Sequence, residues 1–442
     1  MATVDTSAPV ASGEVHERLR KHILVDGLSF VLDLEKSHGA YIHDQVTGRE
    51  IIDLFTCFAT SPLGFNHPGM HDPDFVSRVL PSALNKPSNS DLYTAAMADF
   101  VDALASTVPG ALAERMFFIE GGALAVENAL KAAFDWKTRK NLAAGLGEKE
   151  LKIIHLRDAF HGRTGYTMSL TNTDPLKTDY FPKFCWPRIT NPKLRFPVTE
   201  DVLAEVEAAE RQSIQEIKDA LARHPDEIAG LVIEPIQGEG GDNHFRGEYF
   251  QALRDIADEA GFLLIFDEVQ TGFGTTGKWW CFEHFDVVPD VFAFGKKTQV
   301  CGICAGPRLD EVDSVFKVPS RINSTWGGNL VDMVRCARYV ELIESENLLT
   351  NAARVGQRLL DGVTALAEEF PDLVSNPRGR GMFVAFDLRD RETRQRFKSH
   401  MVDHGVLALG SGEKGIRFRP PLNLTDEVAD EGLRRVREAL LA

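Results

Sequence analysis

FLLIFDE (Phe262 to Glu268) and VFAF (Val291 to Phe294), the latter followed by Gly295-Lys296-Lys297, are short apolar runs that each lead into charge. Both are too short for a core helix and show no alternation, so each reads as a strand buried on both faces, the kind that parallel sheets use. Outward from this pair, GLVIEP (Gly230 to Pro235), KIIHL (Lys152 to Leu156) and FFIE (Phe117 to Glu120) repeat the pattern. Helical stretches separate them, beginning with AVENALKAAFDWKTRK, which sets Ala125, Ala129 and Ala132 on one face. Strands alternating with helices predict an α/β fold with a mostly parallel central sheet covered on both sides.

After Asn329 the pattern changes. Helical stretches over Leu330 to Glu346 and Asn351 to Phe370 precede MFVAFDL (Met382 to Leu388), VLALG (Val406 to Gly410) and IRFR (Ile416 to Arg419), which predicts a smaller α+β domain. The first 60 residues hold strand candidates FVLDLE and AYIHDQVTGREIIDL, too few to fold alone, so they are expected to join that smaller domain. The expected organisation is an N-terminal segment 1–60, a large domain 61–329 and a small domain 330–442.

At 442 residues the chain exceeds a common single-domain size. Apolar residues at 43% and charged residues at 26% are ordinary for a folded globular protein. With 49 Lys plus Arg against 65 Asp plus Glu, the formal charge of -16 would repel nucleic acid and anionic membranes, and neither is an expected partner. Any anionic ligand needs a local exception. Six scattered cysteines fit a reducing compartment. The opening stretch MATVDTSAPVASGEVHERLRK has no basic start followed by an apolar run, so a cytoplasmic location is expected.

Three motifs are decoys in this reading. GFGTTG (Gly272 to Gly277) has the dinucleotide-loop spacing, but Asp267 to Thr271 separate it from the strand that should lead directly into it. The same stretch approaches a nucleotide-triphosphate loop, yet Trp279 stands where a metal-binding Ser or Thr belongs. CGIC (Cys301 to Cys304) lacks a second Cys/His pair, so buried cysteines are expected there and no metal site.

Asp267 and Lys296 close successive strands, and ligands in open α/β sheets bind beyond the carboxyl ends of strands. A lysine there is suited to forming a Schiff base, because burial lowers its pKa and frees a nucleophilic amine. A carboxylate opposite would keep a pyridine nitrogen protonated. Spacing alone leaves the alternative of two solvated loop residues open.

The strings FFIEGGALAVENALKAA, AFHGR, EPIQGEGGD, FDEVQTGFGTTG, FGKKTQVCG, STWGGN and RFRPPL, in this order, resemble the class III pyridoxal phosphate aminotransferases of fold type I over nearly the whole chain. NKPSNSD, EGGALAVENALK, SLTNT and GKKTQVCG are similar to the members of that class that act on the ε-amino group of L-lysine. The resemblance implies pyridoxal 5'-phosphate as cofactor and a homodimer with shared active sites. It implies Lys296 as the Schiff-base lysine, with Lys297 structural, Asp267 on the pyridine nitrogen, Gln270 on the ring hydroxyl and Phe160 stacked on the ring. Gly122 and Ala123 would hold the phosphate at a helix start, and Thr325 would add a phosphate contact from the other subunit. Where most of the class has Ser or Thr before Gly, this turn reads Gly121-Gly122-Ala123, so backbone N–H groups must do more.

The implied substrates are L-lysine and 2-oxoglutarate, giving 2-aminoadipate 6-semialdehyde and glutamate. Arg163 would anchor the far carboxylate of either substrate, and Arg417 the α-carboxylate of 2-oxoglutarate. Glu239 would pair with Arg417 while lysine is bound and swing away for the acceptor. The rival implications are an ω-aminotransferase for ornithine, acetylornithine or 4-aminobutyrate, or a lyase or aminomutase of the same fold. Phe58, about where ornithine enzymes carry a substrate-binding tyrosine, speaks against ornithine.

Overall fold

Burial on both faces explains why the apolar runs become strands, and the computed structural model describes residues 10–442. The first nine residues of the N-terminal stretch considered above lie outside the described residues. Near the N-terminus a hairpin is formed by β1 (Tyr41–His43) and β2 (Glu50–Asp53). The central part of the chain supplies β3 (Met116–Ile119), β4 (Lys152–Leu156), β5 (Arg188–Ile189), β6 (Ile228–Ile233), β7 (Leu263–Asp267), β8 (Val291–Phe294) and β9 (Cys301–Ala305). The C-terminal part supplies β10 (Val374–Arg380), β11 (Phe383–Leu388), β12 (Val406–Leu407), β13 (Leu409–Ser411) and β14 (Gly415–Phe418).

Seven strands form the central sheet in the order β3-β9-β8-β7-β6-β4-β5. β4 to β8 run parallel, whereas β9 is antiparallel to both β8 and β3. The link from Phe294 to Cys301 is too short for a crossover helix, so the chain must turn back on itself there. Every residue of β6, β7, β8 and β9 is buried. The helix Gly122–Ala143 packs against this sheet through Ala125, Ala129 and Ala132, all fully buried. Their small side chains bring the helix axis close to the strands.

Two smaller sheets complete the chain. β10, β11, β14 and β13 form an antiparallel sheet, and β12 adds in parallel to β2, so residues near both chain ends share hydrogen bonds. VLALG therefore splits at Ala408, with Val406–Leu407 pairing to β2 and Leu409–Ser411 to β14. FVLDLE is not a strand. Asp33 Oδ1 accepts the N–H groups of Glu35 and Lys36 at 3.0 and 3.1 Å and folds the segment into a turn, leaving a single bridge from Leu32 to Asp44.

The decoy motifs resolve as packing. Gly272 lies against Trp280 and Gly274 against Leu422, and CGIC is β9 itself, its cysteines buried and free. No helix among the described residues is long and apolar enough to cross a membrane.

Candidate active site

Four loops leave the carboxyl ends of β4, β6, β7 and β8 and enclose a cavity of about 600 Å³. Every site residue named from the sequence lines it except Thr325. Thr325 is exposed in this protomer, its carbonyl accepting the hydroxyls of Ser88 at 2.6 Å and Ser90 at 3.3 Å.

Lys296 follows Gly295 at the end of β8, in a left-handed backbone conformation (φ 56°). Loss of solvent around its amine, reinforced by the Arg417 charge, pushes its pKa down to about 8. Lys297 is turned the other way. Its Nζ donates to the carbonyl of Gln270 at 2.8 Å, away from the cavity lining, and burial holds its pKa well below the ordinary lysine range.

Asp267 ends β7 and is buried, with Oδ1 accepting Val269 N–H at 3.0 Å. Its Oδ2 lies 2.7 Å from His161 Nδ1. Burial opposes protonation of His161, but the hydrogen bond and charge of Asp267, with Glu234 behind, outweigh it and raise the imidazole pKa. Glu234 receives the N–H groups of Phe160 and Gly238, each at 3.0 Å, and burial pushes its pKa up to about 7. His161 lies between two residues singled out in AFHGR and was not itself picked out, because its partner is more than a hundred positions away.

The helix Gly122–Ala143 begins at the cavity with no side chain capping it, so its first N–H groups are free for an anion. A Cβ on Gly122 would come within 2.8 Å of Val269 Cγ1, so only glycine lets the turn sit this close. The residues present thus fit a phosphorylated pyridine aldehyde: an anion cradle without a side chain, a carboxylate set deep beside an imidazole, and an amine of lowered pKa.

β14 and the residue that follows it deliver two arginines. Arg417 and Arg419 are two apart and so project to the same side, and both donate to Gln270 Oε1, at 3.1 Å from each guanidinium. Arg419 is 1% exposed, ion-paired with the buried Asp242 and stacked 3.2 Å from the Phe383 ring centre. The period-two pattern of IRFR carried the signal for Arg419. With Gln270 Oε1 held by the arginines, its amide N–H₂ is the end of the side chain left to donate.

One expected contact differs. Glu239 pairs with Lys177 and not with Arg417. Lys177 lies in the turn Pro175–Thr178, which carries it over the Phe160 ring at 5.7 Å and into reach of Glu239. Nothing local in DPLKTDY marked this lysine. Arg163 lines the cavity while remaining exposed. Phe58 also lines it, on a tight turn where Thr56 to Ala59 all have positive φ. Asp53 braces that turn by accepting the Phe55 and Thr56 N–H groups at 2.9 and 2.7 Å.

A parallel sheet whose strand ends present a buried carboxylate and an activated lysine to a bare helix N-terminus defines a pyridoxal phosphate enzyme of the aminotransferase kind. The profile of the class-III aminotransferases matches residues 25–440, and the chain belongs to that family. It is 50% identical over 435 residues to the L-lysine-epsilon aminotransferase of Mycobacterium tuberculosis (strain ATCC 25618 / H37Rv), spanning 98% of this chain and 96% of the relative. It is 49% identical to the enzyme of the same description from Amycolatopsis lactamdurans, spanning 97% and 95%. The solved structure of the lysine aminotransferase from M. tuberculosis in the internal aldimine form superposes with a TM-score of 0.95 at 50% identity, covering 98% of this chain and 99% of that one.

Proposed function

We propose that this enzyme transfers the ε-amino group of L-lysine to 2-oxoglutarate, producing glutamate and 2-aminoadipate 6-semialdehyde, which cyclises to piperideine-6-carboxylate. The observation that carries this reading is one cavity that joins Lys296 and Asp267 to two guanidinium groups, Arg163 and Arg417. Lysine brings a single carboxylate, far from the reacting amine, and 2-oxoglutarate brings two. Half-sequence identity to lysine ε-aminotransferases over nearly the whole chain supports the choice of donor.

The free N–H groups of Gly122 and Ala123 would hold the cofactor phosphate, Phe160 would cover a ring face, and Gln270 would donate to the ring oxygen. Bound pyridoxal 5'-phosphate supplies an electron sink for the C–H bond broken in the donor. Asp267, its position fixed by His161, would keep a proton on the ring nitrogen of the bound cofactor. Lys296 Nζ would act as general base toward the ε-carbon proton of lysine and return that proton as general acid. The lowered pKa matters here, since the amine is available as a base near neutral pH.

Arg163 would bind the carboxylate remote from the reacting carbon in both substrates. Arg417 would bind the α-carboxylate of 2-oxoglutarate through paired N–H donors. While lysine is bound no substrate anion meets Arg417, and Glu239 would neutralise it. Exposure of Thr325 supports a contribution of that residue to the site of a second copy, so the active form is a homodimer in this reading.

The test is direct. The purified enzyme with pyridoxal phosphate, lysine and 2-oxoglutarate should yield glutamate and the cyclic imine in equal amounts. Preference for ornithine, acetylornithine or 4-aminobutyrate as donor would overturn the assignment.

A further inference from the structure

Among the charged groups in the cavity, Lys177 has no place in the chemistry above. It is nevertheless ion-paired with Glu239 and sits over the Phe160 ring. Glu239 uses only Oε1 in that pair, and its Oε2 is buried without a partner. Arg417, lining the same cavity, has a buried Nε without a partner and meets only the neutral Gln270. An unpaired carboxylate oxygen and an unpaired guanidinium N–H in one cavity attract each other. Glu239 is paired with Lys177 instead.

We propose that Lys177 determines specificity between the half-reactions, as the competing partner that draws Glu239 away from Arg417 and keeps Arg417 open to the acceptor's carboxylate. The proposal rests on the reading that lysine donates and 2-oxoglutarate accepts. The Glu239 charge then has two stations. On Lys177 it leaves Arg417 free for a dicarboxylate, and on Arg417 it suits a donor that brings no anion to that position. The relative depth of the two stations sets how readily the enzyme proceeds from donor to acceptor, because a ligand shifts such an equilibrium only through its different affinity for the two states.

The loop geometry suits this role. The Glu239 carbonyl accepts the Gly412 N–H at 2.8 Å, and a Cβ on the adjoining Gly240 would lie 1.8 Å from the Asp158 carbonyl oxygen, so the backbone is pinned between two loops. Movement is left to the Glu239 side chain. Lys177 itself belongs to a short surface turn, with an alkyl stem that Met reproduces without the charge.

The experiment measures single-turnover efficiency of the cofactor-loaded enzyme in each half-reaction, with lysine and with 2-oxoglutarate. It compares wild type with Lys177→Met, Lys177→Arg, Glu239→Gln and the Lys177→Met/Glu239→Gln double variant. Lys177→Met should lower the 2-oxoglutarate efficiency relative to that for lysine by about tenfold, the scale of one partly buried charge pair. Lys177→Arg should restore the ratio. In the Glu239→Gln background, Lys177→Met should leave the ratio within about twofold, because no competing carboxylate remains.

An equal fall in both half-reactions would overturn the proposal, pointing to a role of Lys177 at the ring face of Phe160. A tenfold effect that persists with Glu239→Gln would also overturn it, since Lys177 would then bind the dicarboxylate itself. Wild-type enzyme that makes no glutamate from lysine and 2-oxoglutarate would remove the substrate reading, and this proposal with it, before any lysine is changed.

Discussion

Replacing Lys296 by methionine should make the cofactor-free protein more stable, and the gain should depend on pH in a calculable way. Burial pushes the Lys296 pKa from its ordinary 10.5 down to about 8, with Arg417 adding to the effect. The folded state thus binds its proton less readily than the unfolded chain, so stability rises with pH between the two values. Below about pH 8 the full penalty applies, of order 3 kcal/mol, because a charged amine is held where solvent is scarce. At pH 9.5 the folded protein has released this proton and about 2 kcal/mol of the penalty is gone. Methionine fills the same space with no charge, so the variant carries no such penalty. Unfolding entropy scales with chain length, and for a cooperative chain of this size 1 kcal/mol corresponds to roughly 1 °C in Tm. Lys296→Met should therefore melt about 3 °C above wild type at pH 7, the difference shrinking by about 2 °C at pH 9.5. Differential scanning calorimetry of both proteins, stripped of cofactor, gives the comparison. Groups that titrate equally in both cancel. A difference that stays constant from pH 7 to 9.5, or grows, would refute a depressed Lys296 pKa and remove the ground for its readiness as a base.

Other substitutions probe the neighbouring supports. Asp242→Ala strips the partner from a guanidinium that is 1% exposed, so the loaded enzyme should lose about 3–5 kcal/mol, read as a fall in melting temperature. Gly122→Val drives a side chain into Val269, whose Cγ1 is 2.8 Å from the nearest possible Cβ. Pyridoxal phosphate affinity in equilibrium dialysis should fall about tenfold or more, the scale of one charge-assisted hydrogen bond, and unchanged affinity would dismiss this turn as the phosphate site. His161→Leu leaves Asp267 Oδ2 without its 2.7 Å partner, so kcat should drop about tenfold with less change in KM, and the absorption band of the bound cofactor should shift. His161→Gln, which keeps an N–H donor, should recover part of kcat; equal loss in both variants would reduce His161 to a packing residue.

The legible parts of the fold were those where one physical demand acts alone. KIIHL and VFAF emerge with the strand bounds their runs suggest, because full burial on both faces leaves only an apolar run of strand length. CGIC reads as buried cysteines without reading as a strand, and the antiparallel direction of CGICA follows from a short connection and not from composition. VLALG reads as one strand but serves two sheets, a division set by which edge each half meets. The site divides along the same line. Asp267 and Lys296 announce themselves at the ends of apolar runs, where sheet geometry alone directs them to a common crevice.

His161 and Lys177 have no such signature, because each acquires its partner only when distant loops converge. Lys177 with Glu239, His161 with Asp267, and Arg419 with Asp242 are pairs from separate segments of the chain. This convergence also reconciles a chain of charge -16 with phosphate and dicarboxylate ligands. Lys177, Lys296, Arg163, Arg417 and Arg419 meet around one cavity, where the lining carboxylates are Glu234, Glu239 and Asp267. Burial raises the Glu234 pKa to about 7, so near neutral pH its charge is only partial, and Asp267 is held by His161. Glu239 is then the one lining carboxylate in direct contact with a cavity lysine, which makes its choice of partner the step at which the local charge balance can be changed.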